Sequence, residues 1–222
     1  MANRSYLYNI DFNTFERPKT DEDIILSVSE YAYEIPLVYK ILVSIIPAST
    51  KSILWDYEHP IAISGDAANG RWRLFRFLDR LKGMDLYDMS FLTEEIEKTK
   101  QFFTDSKFKS NYFQLECGEL YEMSDKPLEK QNQNLLKEMV EIDKTIDAFV
   151  KKVKAINFEI DALQFQYEAM TKKTWFRKSR PVLSNSKRIE IQKTIENKKL
   201  LKRSLLGIDN WSSVLYFQFD QN

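Results

Sequence analysis

The stretch "LLKEMVEIDKTIDAFVKKVKAINFEIDALQFQYEAM", residues 135–170, decides how this chain is built. Its apolar residues fall at Leu135, Met139, Ile142, Ile146, Phe149, Val153, Ile156, Ile160, Leu163, Tyr167 and Met170, with gaps that alternate four and three. That spacing runs as one stripe along a helix and makes the seam of a coiled coil, with Met139, Ile146, Val153, Ile160 and Tyr167 at the a positions. Asn132 takes an earlier a position, where a polar residue fixes register at some cost in stability. Neither glycine nor proline interrupts residues 128–173. One helix of about 60–70 Å is therefore expected, at 1.5 Å per residue.

A stripe of large apolar side chains cannot stay wet, since each forfeits roughly 1.5–3 kcal/mol when left exposed. The nearest partner lies just downstream. "TWFRKSRPVLSNS" (174–186) breaks the helix at Pro181 and offers Ser184 or Ser186 as a new cap, and "SKRIEIQKTIENKKLLKRSLLG" makes a second helix that stops at Gly207. Two helices with a short connection form an antiparallel hairpin. The second arm is shorter and covers only about residues 153–173 of the first. The proximal seam, 128–150, needs the rest of the chain or a second subunit.

Outside the hairpin the pattern changes. "SYLYNIDF" (5–12) alternates with Tyr6, Tyr8, Ile10 and Phe12 on one face, the period of a strand. Asp21 or Asp23 is placed to cap a helix reaching about Ala32, and Pro36 suits the first turn of another, "PLVYKILVSII". "SILWDYE" (52–58) reads as a short strand or extended segment. "GDAANGRWRLFRFLDRLKG" reads as a helix with Leu74, Leu78 and Leu81 on one stripe, and "SFLTEEIEKTKQFFTDS" as another capped by Ser90. "NYFQLECGELYEM" (111–123) returns to alternation, and so does "SSVLYFQFD" (212–220), with Leu215, Phe217 and Phe219 against Tyr216 and Gln218. A terminal strand needs a sheet, and the other strands lie upstream. The expected fold is α+β: a small head of antiparallel sheet and helices (1–125 plus 208–222), a long antiparallel coiled-coil hairpin (126–207), and a C-terminal strand returning to the head sheet.

Charge divides the chain in the same place. Its 33 Lys/Arg and 33 Asp/Glu cancel overall. From Lys126 to Leu206, however, 19 basic residues face 10 acidic ones, which makes a basic appendage on an acidic head. One cysteine excludes an internal disulfide and a cysteine-rich zinc site. Polar residues interrupt the start before any secretory apolar region forms. The most apolar window carries Glu30, Glu34, Lys40 and Pro36, which a bilayer span tolerates poorly. A cytoplasmic protein with no membrane contact is expected.

The only histidine, His59, lies in "WDYEHPIAISGD" (55–66) among Asp56, Glu58, Ser64 and Asp66. Catalysis there would need an orienting carboxylate and a nucleophile in reach. Pro60 forces extended backbone on His59 and turns its neighbours away. "SGDAANGR" lacks both phosphate-loop patterns, so Ser64 or Asp66 is read as a helix cap. One His and one Cys cannot build the usual zinc sets, no carboxylate pair is singled out for magnesium, and Cys117 reads as a small buried hydrophobe beside Phe113 and Leu115. No catalytic residue, metal or cofactor is expected.

The hairpin tip stands out more. No acid occurs between Ala169 and Ile189, and seven cations do: Lys172, Lys173, Arg177, Lys178, Arg180, Lys187 and Arg188, with Trp175 and Phe176 among them. Such a cluster meets an acidic protein surface or grips phosphates and stacks bases. On the head, the carboxylates of "FLTEEIE" and "LECGELYEMSD" would attract basic partners.

"MANRSYLYNIDF", "ILWDYEHPIAISGD" and "FQLECGELYEM" together resemble a family of uncharacterised bacterial proteins, over about residues 1–123 and excluding the hairpin. The resemblance implies no activity and transfers no catalytic residue. The expected function is a non-enzymatic protein-binding module, by analogy an immunity-type protein that neutralises a partner toxin by occlusion. Lys172, Lys173, Trp175, Phe176, Arg177, Lys178 and Arg180 are its candidate partner-binding residues. A homodimer through the proximal seam is a further expectation. The alternatives are a nucleic-acid-associated protein using the same tip, and an enzyme centred on His59.

Overall fold

Alternation in the first dozen residues is answered by pairing on both sides. The structure, a computed structural model, describes residues 3–17, 19–104, 108–171 and 185–219. The chain runs β1 (Arg4–Ile10), β2 (Ile25–Ala32), α1 (Leu37–Leu42), β3 (Ala48–Thr50), β4 (Ala62–Asp66), α2 (Ala67–Lys82), α3 (Met89–Thr104), β5 (Tyr112–Glu116), α4 (Gly118–Tyr121), α5 (Leu128–Val140), α6 (Ile142–Thr171) and α7 (Asn185–Leu206). The five strands form one sheet in the order β2-β1-β5-β4-β3, and every neighbouring pair is antiparallel. The class is α+β, as the patterns imply.

The sheet has two unlike faces. Opposed residues of antiparallel strands share a face, so the pairs Leu7↔Leu115 and Ile63↔Leu115 put these side chains on one side. There they join Phe113 and the buried residues of the helices in the main core. The pairs Tyr6↔Glu116, Tyr8↔Gln114 and Ser64↔Gln114 form the opposite face. Among the described residues its cover comes from irregular segments: the connection bearing Ile53, Leu54 and Trp55, the tail bearing Leu215, Phe217 and Phe219, and Phe12 just after β1.

Several local expectations hold, with shifted ends. Asp66 caps α2 by accepting the Asn69 N–H at 2.7 Å, and Leu74, Leu78 and Leu81 form its buried stripe. Gly70 lets α2 close on α1, because a Cβ there would lie 2.0 Å from the Leu42 carbonyl oxygen. Gly207 ends α7 with φ +74°, where a Cβ would meet Pro36 at 2.3 Å. Asp88, not Ser90, caps α3: its carboxylate accepts the Phe91 N–H at 3.0 Å.

Four further expectations are corrected. The helix read from Asp21 or Asp23 to Ala32 is strand β2. Asp23 is engaged elsewhere, with Arg17 and with the Thr20 N–H (2.6 Å). Ser27, Val28, Ser29 and Tyr31 are weak helix formers, and pairing with β1 decides their conformation. Residues 52–58 are irregular, and the strands lie on either side of them, in β3 and β4. The uninterrupted helix over 128–173 divides at Glu141 (φ −100°, ψ 32°) into α5 and α6. The Thr145 hydroxyl donates to the Glu138 carbonyl across this turn (3.3 Å).

The fourth correction concerns the tail. Residues 212–219 return to the sheet but form no strand in it. They cross its outer face, with Leu215 buried and Phe217 and Phe219 packed beside it. The Tyr8 hydroxyl donates to the Phe217 carbonyl (2.7 Å), and the Tyr216 N–H donates to the Glu30 carboxylate (2.7 Å). Side chains thus take up backbone groups that a ladder would otherwise satisfy.

Candidate functional site

The seam residues of 135–170 are the inward face of both helices. Leu135, Met139, Ile142, Ile146, Phe149 and Val153 belong to the main core of the same chain, so the proximal seam lies against the head. Beyond Val153 the partner changes. Ile156 and Ile160 of α6 pack on Ile191 and Ile195 of α7, with Leu163, Tyr167 and Met170 beside them. An ion pair between Glu159 and Lys198 ties the two helices together at their surface.

The point where this pair leaves the head is interlocked. The Lys202 ammonium donates to the Leu86 carbonyl (3.0 Å) and to Asn157 Oδ1 (2.9 Å). The Asn157 amide donates to the same Leu86 carbonyl (3.1 Å), and the Tyr87 hydroxyl donates to the Lys202 carbonyl (2.9 Å). Burial, with Arg203 and Lys199 nearby, lowers the Lys202 pKa from its ordinary value. A half-buried ammonium held by two oxygens, with the backbone carbonyl of the same residue held by Tyr87, fixes the direction of α7 more firmly than apolar packing alone.

Lys172, Lys173, Trp175, Phe176, Arg177, Lys178 and Arg180 lie outside the described residues, between the end of α6 and the start of α7. What the structure supplies is their mounting.

The carboxylates of the head are less available than their number suggests. Lys98 sits between Glu94 (2.7 Å) and Glu95 (2.8 Å), and Lys100 reaches Asp79 (2.8 Å). The Lys98 hydrogen bond holds the Glu94 carboxyl below its ordinary value. In "LECGELYEM" all three glutamates serve the fold. Glu119 accepts the Arg4 N–H and the Tyr6 hydroxyl, each at 2.8 Å, and Glu122 accepts the Tyr57 hydroxyl.

Glu116 is the third, and it is fully buried. Its carboxylate accepts from the Ser52 hydroxyl (2.7 Å), the Ile53 N–H (2.9 Å) and the Gln114 amide (2.6 Å). Gln114 in turn accepts from the Thr14 hydroxyl (2.8 Å). Burial raises the Glu116 pKa, and the three donors oppose that shift without cancelling it. This polar layer pins the 51–61 connection to the sheet. Sequence gives one hint of it: Gln114 and Glu116 alternate with Phe113 and Leu115, polar residues on a strand whose other face is core.

His59 is exposed in that connection. Cys117 is buried and free, and burial raises its thiol pKa. Among the described residues no group of three or more His, Cys, Asp or Glu is placed to hold a metal ion. No described helix is long and apolar enough to cross a membrane. A groove of about 470 Å³ lies between α1, α4 and α5, lined by Tyr33, Lys40, Lys126, Gln131 and Glu138 among others. Lys40 and Glu138 pair with each other there.

A family model described as a domain of unknown function (DUF7822) matches residues 13–156. No curated protein matches the chain, and no solved structure matches it.

Proposed function

The chain belongs to that family of unknown function, and from this premise we propose that it is a non-enzymatic protein-binding module, an immunity-type inhibitor that occludes a partner toxin. The reading draws its support from the way α6 and α7 are mounted. Past Val153 the inward residues Ile156 and Ile160 pack on Ile191 and Ile195, Leu206 at the other end of α7 sits in the main core, and the Asn157–Lys202–Leu86 interlock holds the pair at the head. At the far end the sequence places seven cations with Trp175 and Phe176, and no acid, between Ala169 and Ile189. A stiff two-helix arm, taken here as an antiparallel coiled coil, would itself need no ordering on binding. The cluster is suited to an acidic protein surface, and Trp and Arg are the residue types that dominate binding hot spots. Trp175 and Arg177 are the expected anchors, in a cytoplasmic protein that uses no cofactor.

Affinity capture from source cells with tagged chain, beside Trp175→Ala and Arg177→Glu variants, tests this. One specific protein retained by the parent and lost with both variants supports occlusion by the tip. Retention of nucleic acid, removed by raising salt, or identical retention by all three chains, contradicts it.

A further inference from the structure

α6 carries two apolar stripes, and the fold uses only one. The second is Ala155, Phe158, Ala162, Phe165 and Ala169, spaced three, four, three, four, about half a turn round the helix from the Ile156–Ile160 seam. All five are exposed, Phe158 at 76% and Phe165 at 75%. Two rings seven residues apart on one face, separated and flanked by alanines, repeat the heptad spacing of the inward side.

We propose that this face binds a second copy of the chain, with the two α6 helices antiparallel about a two-fold axis. Side-chain size sets the arrangement. In antiparallel heptad pairing, an a residue shares its layer with a d residue of the other helix. The alanines form one set and the phenylalanines the other. Each central layer therefore sets one ring over one methyl: Phe158 on Ala162 of the second copy, Phe165 on Ala155 of the second copy, and the two symmetry equivalents. Parallel pairing would instead stack ring on ring and methyl on methyl, alternately overfilled and void, and both errors are destabilising. The antiparallel register also places Lys154 beside Glu168 of the second copy, once on each side of the axis. Asp161 meets its own symmetry mate on the axis, a repulsion that salt screens.

Area sets the strength. Four rings, each about three-quarters exposed, contribute roughly 450–750 Å² at 150–250 Å² apiece. With the alanines and the stems of Lys151 and Lys154 the total is on the order of 1,000 Å², the low end for a specific interface. The dimer is thus weak and reversible, with a dissociation constant on the order of 10–100 µM. It is independent of the tip: an inert tip leaves it intact.

Sedimentation equilibrium of the full chain over about 5–500 µM tests the contact. A monomer–dimer equilibrium is expected, and Phe158→Lys with Phe165→Lys should leave only monomer at an unchanged melting temperature. Monomer throughout for the parent chain, or equal dimer from the double variant, overturns the proposal. Register is read by oxidising a mixture of Phe158→Cys and Ala162→Cys chains, since native Cys117 is buried. The mixture should cross-link between the two positions, and Phe158→Cys alone should not. Efficient self-linking of Phe158→Cys would mean parallel pairing and would overturn it equally.

Discussion

Glu116 and Asn132 show how single buried polar groups hold the irregular parts of this molecule. Glu116 anchors the 51–61 connection through Ser52 and Ile53. Replacing it with alanine strands those donors in the interior, and a loss of about 2–3 kcal/mol in urea unfolding is expected. Glu116→Gln keeps an acceptor oxygen for the Ile53 N–H and the Gln114 amide at nearly the same shape, so it should fold. The two variants of charge state separate with pH. Burial raises the Glu116 pKa in the folded chain, so its contribution is fully present below the ordinary carboxylate range and is lost as pH rises through the folded value. The stability of the parent relative to Glu116→Gln should therefore fall with rising pH, and a flat difference would contradict the assignment. Asn132 is buried in α5, where its amide donates to Ser49 Oγ (2.8 Å) and the Ala62 carbonyl (3.2 Å) and its Oδ1 accepts the Tyr121 hydroxyl (3.1 Å). Asn132→Ala should cost about 2 kcal/mol in the same assay. Its position on the seam was legible as a register-fixing polar residue. Its partners on β3, β4 and α4 were not, because they come from distant segments and no local spacing encodes them.

At the scale of elements, periodicity identified which side chains turn inward more reliably than it identified what they meet. The 135–170 stripe is buried from Leu135 to Ile160 and partly buried beyond, although a turn at Glu141 divides it. In the tail, alternation correctly separated Leu215 from Tyr216, yet the partner is the face of the sheet and not its edge. Leu215→Ala should cost about 2–3 kcal/mol, and Tyr216→Ala about 1 kcal/mol, since that ring is exposed and its contacts are of the weaker kind, among them the edge of Phe217 at 5.0 Å and the Arg4 guanidinium at 5.6 Å. Equal effects, measured by denaturant midpoint, would mean that the tail is not seated as described. Strand β2 was misread because Asp21, Asp23 and the residues after them carry a weak helix signature, which pairing with β1 overrides. Gly207 was read correctly as a stop. Gly207→Ala should destabilise by about 2 kcal/mol or more, from its left-handed backbone and its contact with Pro36.

For the molecule as a whole, the excess of basic residues begins at Lys126, although the helices there start inside the main core, and many of the carboxylates before it are engaged in local structure. Glu116, Glu119 and Glu122 hold strands and loops, and Glu94 and Glu95 are bridged by Lys98. Sequence counts charge without showing this pairing, so the acidic surface looked larger than it is. The basic aromatic cluster at 172–180 is therefore the site on which the proposed function rests. The most direct test is calorimetric titration of the captured partner protein with the parent chain and with Trp175→Ala, the melting temperature of each being measured alongside. The account predicts at least about a tenfold loss of affinity with an unchanged melting temperature. Equal affinity for the two chains would contradict it.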